Sequence, residues 1–423
     1  MHAVETQRTP DGAYSRNTLF FGSLRSLRIC AKNKNKIMVW SIGRVINPPG
    51  FAFSFALFQC STLSSIRQGA VFVAALIIGT ALHASESSFK DPLDQPAPVV
   101  SAAQHRPVLS IAEAGKRLVA VGLRGLILVS DDGGLTWRQS PSCVSSDLTS
   151  VHFFGDKQGW AAGHDGVILH SEDGGDSWSK QLDGVQAQGQ FIQHYQRLVD
   201  SGQVHYQKYL DELVTNFRSG PSLPYLGIWF DSARVGYAVG SFGMLAKTVN
   251  GGSTWEPWLD HIDNSEALNL NAVRRIDGEL YLVGERGAVF RLDEGRQRFI
   301  PLPSGYQGSF FGISGGSGVL LAYGLRGSVW RSVNGGKNWS PVNSGITGAI
   351  SDGDSSADGR QILLVSATGS VLESLDAGLS FHALTAPAMA YAGVRFHAGV
   401  AVLASLQGVS TLRLAFPQSL ATH

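Results

Sequence analysis

The sequence is poor in cysteine, with three in 423 residues at Cys30, Cys60 and Cys143. Thiols so few and so scattered build neither a disulfide framework nor a zinc cluster, and no metal is expected. An excess of charge is lacking too: 34 Lys and Arg meet 33 Asp and Glu, a net charge of +1. Such a chain has no bulk field to draw it to nucleic acid or an anionic membrane, so a nucleic-acid partner is not expected. No Gly-rich phosphate loop leads from a strand into a helix, and no Ser-His-Asp set is identifiable, so neither a nucleotide cofactor nor a serine hydrolase is indicated. Charged residues make up 16% and hydrophobic residues 43%, which argues against disorder. What is abundant is glycine, 50 of 423, about 12% where roughly 7% is usual. The chain turns often.

The 13 residues from Ala70 to Leu82 form an apolar stretch preceded by Arg67 and followed by Ala84, Ser85 and a Pro-rich segment. A membrane-spanning helix needs about 20 residues, so this stretch reads instead as the h-region of a signal peptide cleaved near Ala84. Export to the periplasm or another extracytoplasmic space is the expectation. The exported chain would keep only Cys143, which suits an oxidising compartment without a disulfide. Residues 1–69 carry the basic run KNKNK and no periodic pattern, and fit no n-region. They read as an extension upstream of the true translation start, or else as a real segment that anchors the chain to the inner membrane.

Internal repetition organises the rest. GLRGLILVSDDGGLTW ends at Trp137, GHDGVILHSEDGGDSW at Trp178, GSFGMLAKTVNGGSTW at Trp255 and GLRGSVWRSVNGGKNW at Trp339. Weaker copies end at Phe299 and Phe381, and a last one lies near the C-terminus. The turn glycines Gly125, Gly166, Gly243, Gly287, Gly327, Gly369 and Gly408 are separated by 41, 77, 44, 40, 42 and 39 residues, which makes seven units. Each unit reads as three β-rich runs before the Trp and a short fourth after it. Four strands at a period near 40 residues is one propeller blade. The predicted fold is therefore all-β, a seven-bladed β-propeller over residues 88–416 with an insertion at about 182–221. The seventh unit lacks a fourth strand, and the stretch Pro96 to Ser101 is expected to supply it and close the ring.

Each strong unit contains an Asp-box, Ser/Thr-x-Asp/Asn-x-Gly-x-x-Trp. The four are Ser130, Asp132, Gly134, Trp137; Ser171, Asp173, Gly175, Trp178; Thr248, Asn250, Gly252, Trp255; and Ser332, Asn334, Gly336, Trp339. Asp or Asn accepts backbone N–H bonds within a hairpin, Gly takes positive φ, and the Trp packs back between sheets. Asp and Asn interchange among the copies, which a metal ligand or catalytic carboxylate does not permit. The boxes are read as structural. In the fourth unit the aligned residues are Leu292, Glu294 and Arg296, so its box is broken.

With strands lettered A to D outward from the axis, the Asp-boxes occupy C–D turns, and the B–C turns and D–A connections share the opposite face. The B–C turns carry Arg124, His164 with Asp165, Phe242, Glu285 with Arg286, and Arg326. Three guanidinium groups at one turn position suit the capture of carboxylates or a peptide terminus, and Arg124, His164, Arg286 and Arg326 are the candidate partner-binding residues. A solvated turn explains an exposed Arg equally. The insertion emerges on the same face. Its spacing predicts two short amphipathic helices, one presenting Phe191, Ile192, Tyr195 and Leu198, the other Val204, Tyr206, Leu210, Leu213 and Val214. They would cover the axial funnel, dock a partner, or pack on their own blade.

The unit G-x-x-G-x-[IL]-x-x-[ST]-x-[DN]-G-G-x-x-W, clearest at residues 163–178, resembles the BNR/Asp-box repeats of the photosystem II stability and assembly factor family over residues 105–416. That resemblance implies an exported, non-enzymatic, seven-bladed scaffold, here expected to be monomeric, that binds a membrane protein during assembly. In oxygenic phototrophs the partner is the photosystem II reaction-centre precursor, and in other bacteria another envelope complex. The helical insertion and the degenerate fourth and seventh boxes depart from the pattern. The competing class is an Asp-box glycoside hydrolase of the sialidase type. Such an enzyme needs an arginine triad, a Tyr with its Glu, and an acid Asp. That constellation is missing, and Arg106-Pro107 is only a partial echo of the Arg-Ile-Pro motif. Asp165 and Glu285, the candidate pair for a two-carboxylate mechanism, are explained as ordinary turn acids, and no catalytic residue is assigned.

Overall fold

The computed structural model describes residues 30–33, 36–39 and 90–414. The h-region at 70–84 and nearly all of the 1–69 segment lie outside these, apart from an antiparallel pair formed by Cys30–Asn33 and Lys36–Val39. No helix among the described residues is long and apolar enough to cross a membrane.

Residues 90–414 fold as a seven-bladed β-propeller. Seven antiparallel sheets follow one another along the chain, six of four strands and the last of three. The innermost strands are Val108–Ala114, Leu148–Phe154, Tyr225–Phe230, Leu270–Ile276, Phe310–Gly316, Ile350–Ser355 and Tyr391–His397. The second strands, such as Arg117–Gly122 and Val319–Gly324, are near-continuous apolar runs and almost wholly buried. Each is covered on both faces by neighbouring blades, so alternation disappears, and every fully buried Leu or Val in them adds about 2 kcal/mol.

Blades are also joined by polar bonds. In each, the ladder between the first two strands shifts register at the second residue of the innermost strand. A bulge of this kind re-aims a side chain. Thr149, Asn271 and Ser351, at that position, each donate to the carbonyl of the first residue of the next blade's innermost strand, Tyr225, Phe310 and Tyr391, at 2.7 Å.

The ring does not close as the sequence suggests. Pro96 to Ser101 form no strand and lie along the outer strand of the first blade, Arg138–Ser140. There Ala97 N donates to Ser142 O at 3.1 Å, Val100 N to Gln139 Oε1 at 3.0 Å, and Gln139 Nε2 to Pro98 O at 2.9 Å. Pro96 and Pro98 have no N–H, which unfits the segment for a ladder. Among the described residues the seventh blade keeps three strands, and closure rests on packing of Val108, Ile111, Leu118 and Ala120 against Val402 and Ala404.

The insertion is two helices, α1 (Gly184–Asp200), capped by Asp183 accepting from Gln186 N at 2.9 Å, and α2 (Gln207–Asn216). Phe191, Tyr195, Leu210 and Leu213 are buried against Trp160 and Leu182 of the second blade and Phe230, Met244 and Trp255 of the third. Val204 and Val214, grouped with them by spacing, are 73% and 46% exposed. Val204 belongs to a separate short turn before α2, which takes it off the buried stripe. The Tyr195 hydroxyl anchors the pair, donating to Asp260 at 2.7 Å and accepting from Leu259 N at 3.1 Å.

Candidate functional site

The B–C turns share one backbone form. In five blades the residue before the turn glycine is left-handed: Arg124 (φ 58°), Asp165 (58°), Phe242 (54°), Arg286 (54°) and Arg326 (59°). The following glycine has no alternative, since a Cβ at Gly125, Gly287 or Gly327 would come within about 2 Å of a backbone carbonyl. The left-handed residue is then fixed by the next blade: Arg124 N donates to Asp147 Oδ1 and Phe242 N to Asn269 Oδ1, both at 2.7 Å.

The candidate residues diverge in their surroundings. Arg124, His164 and Arg326 are exposed. Arg124 and Arg326 make no side-chain hydrogen bond or ion pair among the described residues. Arg286 pairs with Glu266, both side chains being at least 60% exposed. Such a surface pair is worth about 0–1 kcal/mol and yields readily to a competing carboxylate. The two turn acids are occupied: Asp165 accepts from Ser146 Oγ at 2.7 Å, and Glu285 accepts from Asn269 N at 2.9 Å and Nδ2 at 3.3 Å.

The Asp-boxes lie at the C–D turns. Ser130 Oγ donates to Asp132 at 2.8 Å, Thr136 N to the same carboxylate at 2.9 Å, and Trp137 Nε1 to Gly134 O at 3.1 Å. Ser171, Asp173, Gly175 and Trp178 repeat this, as do Ser332, Asn334, Gly336 and Trp339. Bonds from the Thr136 hydroxyl and amide hold the Asp132 carboxyl down to about 2, so it is no proton donor near neutral pH. In the third blade Thr248 and Asn250 keep the turn, but Gln181 sits against Gly252 and the Trp255 indole N–H has no partner. The sixth copy is complete apart from its Trp: Ser374 Oγ donates to Asp376 at 2.7 Å and Gly378 N to Ser374 Oγ at 2.8 Å, with Phe381 in the Trp position.

A polar cluster on the axis was not singled out from the sequence. The fifth residue of the innermost strands is His152, Trp229, Arg274, Asp354 and Arg395 in the second, third, fourth, sixth and seventh blades. Arg274 donates to Gly353 O at 2.8 Å and pairs with Asp354, and Arg395 pairs with Asp352 at 3.2 Å. The His152 ring lies 4.1 Å from that of Trp229 and donates through Nε2 to Phe230 O at 3.0 Å. Burial pushes its pKa down to about 4, with the nearby arginines adding to the effect, so at neutral pH it is uncharged. Apart from Asp354, these groups line an axial cavity of 140 Å³ to which neither helix contributes. Both of its guanidiniums are paired.

Residues 109–190 and 222–384 match the family model described as photosynthesis system II assembly factor YCF48, and the gap between them falls on the helical insertion. Among solved structures, a YCF48 bound to D1 peptide is 16% identical, covering 76% of this chain and 100% of that one, with a TM-score of 0.54. YCF48 from Cyanidioschyzon merolae is 19% identical over 75% and 97%, with a TM-score of 0.51. The WD40 β-propeller domain of Doa1 is 10% identical over 76% and 95%, also at 0.51. These three likenesses carry the fold. No curated protein matches the sequence. The family model matches more than half of the chain, and the chain belongs to the photosynthesis system II assembly factor YCF48 family.

Proposed function

We propose that this protein is a non-catalytic assembly factor, exported to an extracytoplasmic compartment, that holds a membrane protein through the face bearing its B–C turns. Family membership supports the assembly role, and a family relative is a YCF48 bound to D1 peptide. The observation that carries the choice of face is the pair of exposed guanidiniums without partners among the described residues, Arg124 and Arg326, at equivalent turns of the first and fifth blades. His164 stands at the second blade's turn, and Arg286 joins them once a partner carboxylate displaces Glu266. A polypeptide presenting acidic side chains or a terminal carboxylate is the ligand such groups recognise. In an oxygenic phototroph that partner would be the photosystem II reaction centre.

The test is co-purification from detergent-solubilised membranes, wild type against an Arg124, Arg286 and Arg326 to Ala triple variant checked for folding. One membrane complex retained by the wild type and lost by the variant is the expected outcome. Equal retention by both would move the contact to another face. N-terminal sequencing of the secreted chain tests export, and a mature terminus far upstream of Ala84 contradicts the cleavage proposed there.

A further inference from the structure

A second site lies on the same face, with one wall in the stretch that the family model passes over. Helix α2 and the connection from the third to the fourth blade enclose a cleft of 450 Å³, within the ordinary range for a ligand pocket of about 300–1,000 Å³. Helix α2, which forms one wall, falls between the two matched stretches, and the other wall lies within the second.

Its walls hold one partly buried carboxylate without a partner among the described residues. Glu212 is partly buried and makes no hydrogen bond or ion pair among the described residues. Lys208, one helical turn earlier, forms no ion pair with it; its Nζ lies over the Tyr209 ring, 4.6 Å from the centre. Across the cleft Arg298 is committed to the Asp260 carbonyl. Burial pushes the Glu212 carboxyl up to about 7, only partly offset by Lys208. A cation that enters and donates to it recovers the lost solvation.

The neighbours suit an ammonium or guanidinium group. Asn216 spends its amide N–H on Phe242 O at 3.2 Å, which leaves Oδ1 as an acceptor, and Thr215 lines the same wall. With Glu212 this makes three acceptors for the three donors of a lysine ammonium. A divalent metal is a poor fit, because among the described residues no three His, Cys, Asp or Glu side chains group as ligands. Beside Gly243 of the cleft wall stands one exposed apolar side chain, Phe242, at 52%. It offers contact to a residue flanking a buried basic one, which a free amine lacks.

We propose that this cleft is a specificity pocket for a lysine or arginine side chain of the bound polypeptide, held by Glu212 with Asn216 and Thr215 and flanked by Phe242. It rests on the reading that this face docks a polypeptide, yet is independent of the arginine turns. The docked partner would then present acid to Arg124 and Arg326 and a basic residue to the insertion.

Carbodiimide cross-linking of the full chain to the peptide acetyl-Leu-Lys-Leu-amide tests it, since the reagent joins a carboxylate to an amine in direct contact. Peptide mapping should place the adduct on Glu212 about tenfold above exposed Asp211 and Asp263. An arginine peptide in excess should suppress the adduct about tenfold, whereas its norleucine counterpart should leave it unchanged. Labelling should strengthen in a Lys208→Met variant, which removes the internal competitor. Because Lys208, Asp211, Asp263 and Arg298 all face the cleft, the comparison is made at one pH. Labelling of Glu212 no greater than of Asp263, or equal suppression by norleucine, overturns the proposal. The triple arginine variant is run in parallel. If it labels normally but loses its membrane partner, both readings stand; if the cleft fails and that loss remains, only the cleft falls.

Discussion

Arg274 of the fourth blade reaches past the fifth to pair with Asp354 of the sixth, and donates to Gly353 O beside it at 2.8 Å. The other Asp354 oxygen accepts from Phe396 N of the seventh blade at 2.9 Å. One carboxylate thus ties three blades together near the axis, in a ring whose last blade has only three described strands. Removing one member of a largely buried pair leaves the other uncompensated. Arg274→Met should lower the unfolding free energy by about 3 kcal/mol, seen as a fall in the urea midpoint at unchanged slope. A loss under about 0.5 kcal/mol, the size of an exposed pair, would show that the contact does not brace the ring.

His152 gives the propeller an acid limit. Its folded pKa of about 4 lies below its ordinary value of 6.5. The unfolded chain therefore binds a proton that the folded one refuses between those values. Its contribution is complete above pH 6.5 and is lost as pH falls towards 4, by at most about 3 kcal/mol. Denaturation series at pH 7, 5.5 and 4.5 should show a smaller loss on acidification for His152→Gln than for the wild type. Parallel profiles would rule out this assignment.

The sixth Asp-box should matter as much as the second. Asp376 accepts from Ser374 Oγ, Leu379 N and Ser380 N at 2.7–3.0 Å, and Asp173 accepts from Ser171 Oγ and Ser177 N at 2.8 and 2.9 Å. Asp376→Ala and Asp173→Ala should each cost about 1–2 kcal/mol, measured by thermal unfolding. A much smaller cost for Asp376 would mean that the indole, absent at Phe381, supplies most of the box's worth.

Much of this architecture was legible because turns are written in local chemistry. The spacing of Gly125, Gly166 and their successors fixes the blade count, and the Ser-x-Asp-x-Gly pattern fixes the C–D turns. The expected closing strand at Pro96 to Ser101 fails on local chemistry, since Pro96 and Pro98 lack the N–H that a ladder needs. The axial contacts were harder to see because Arg274 and Asp354 are 80 residues apart in sequence, and nothing local marks them as partners. The cleft needs the docking of α2, set by Tyr195 on Asp260 across 65 residues, so Glu212 read only as one acid on a helix. Val204 shows the same limit, since its helical spacing was apparent and the turn that removes it from the stripe was not.

The most direct test of the docking face is site-specific photo-cross-linking in intact cells, with the probe at position 124 or 326 on one side and at Lys337, in an Asp-box turn, on the other. Adducts to a membrane protein from positions 124 and 326, and none from 337, are the predicted result. Adducts confined to position 337 would contradict the account.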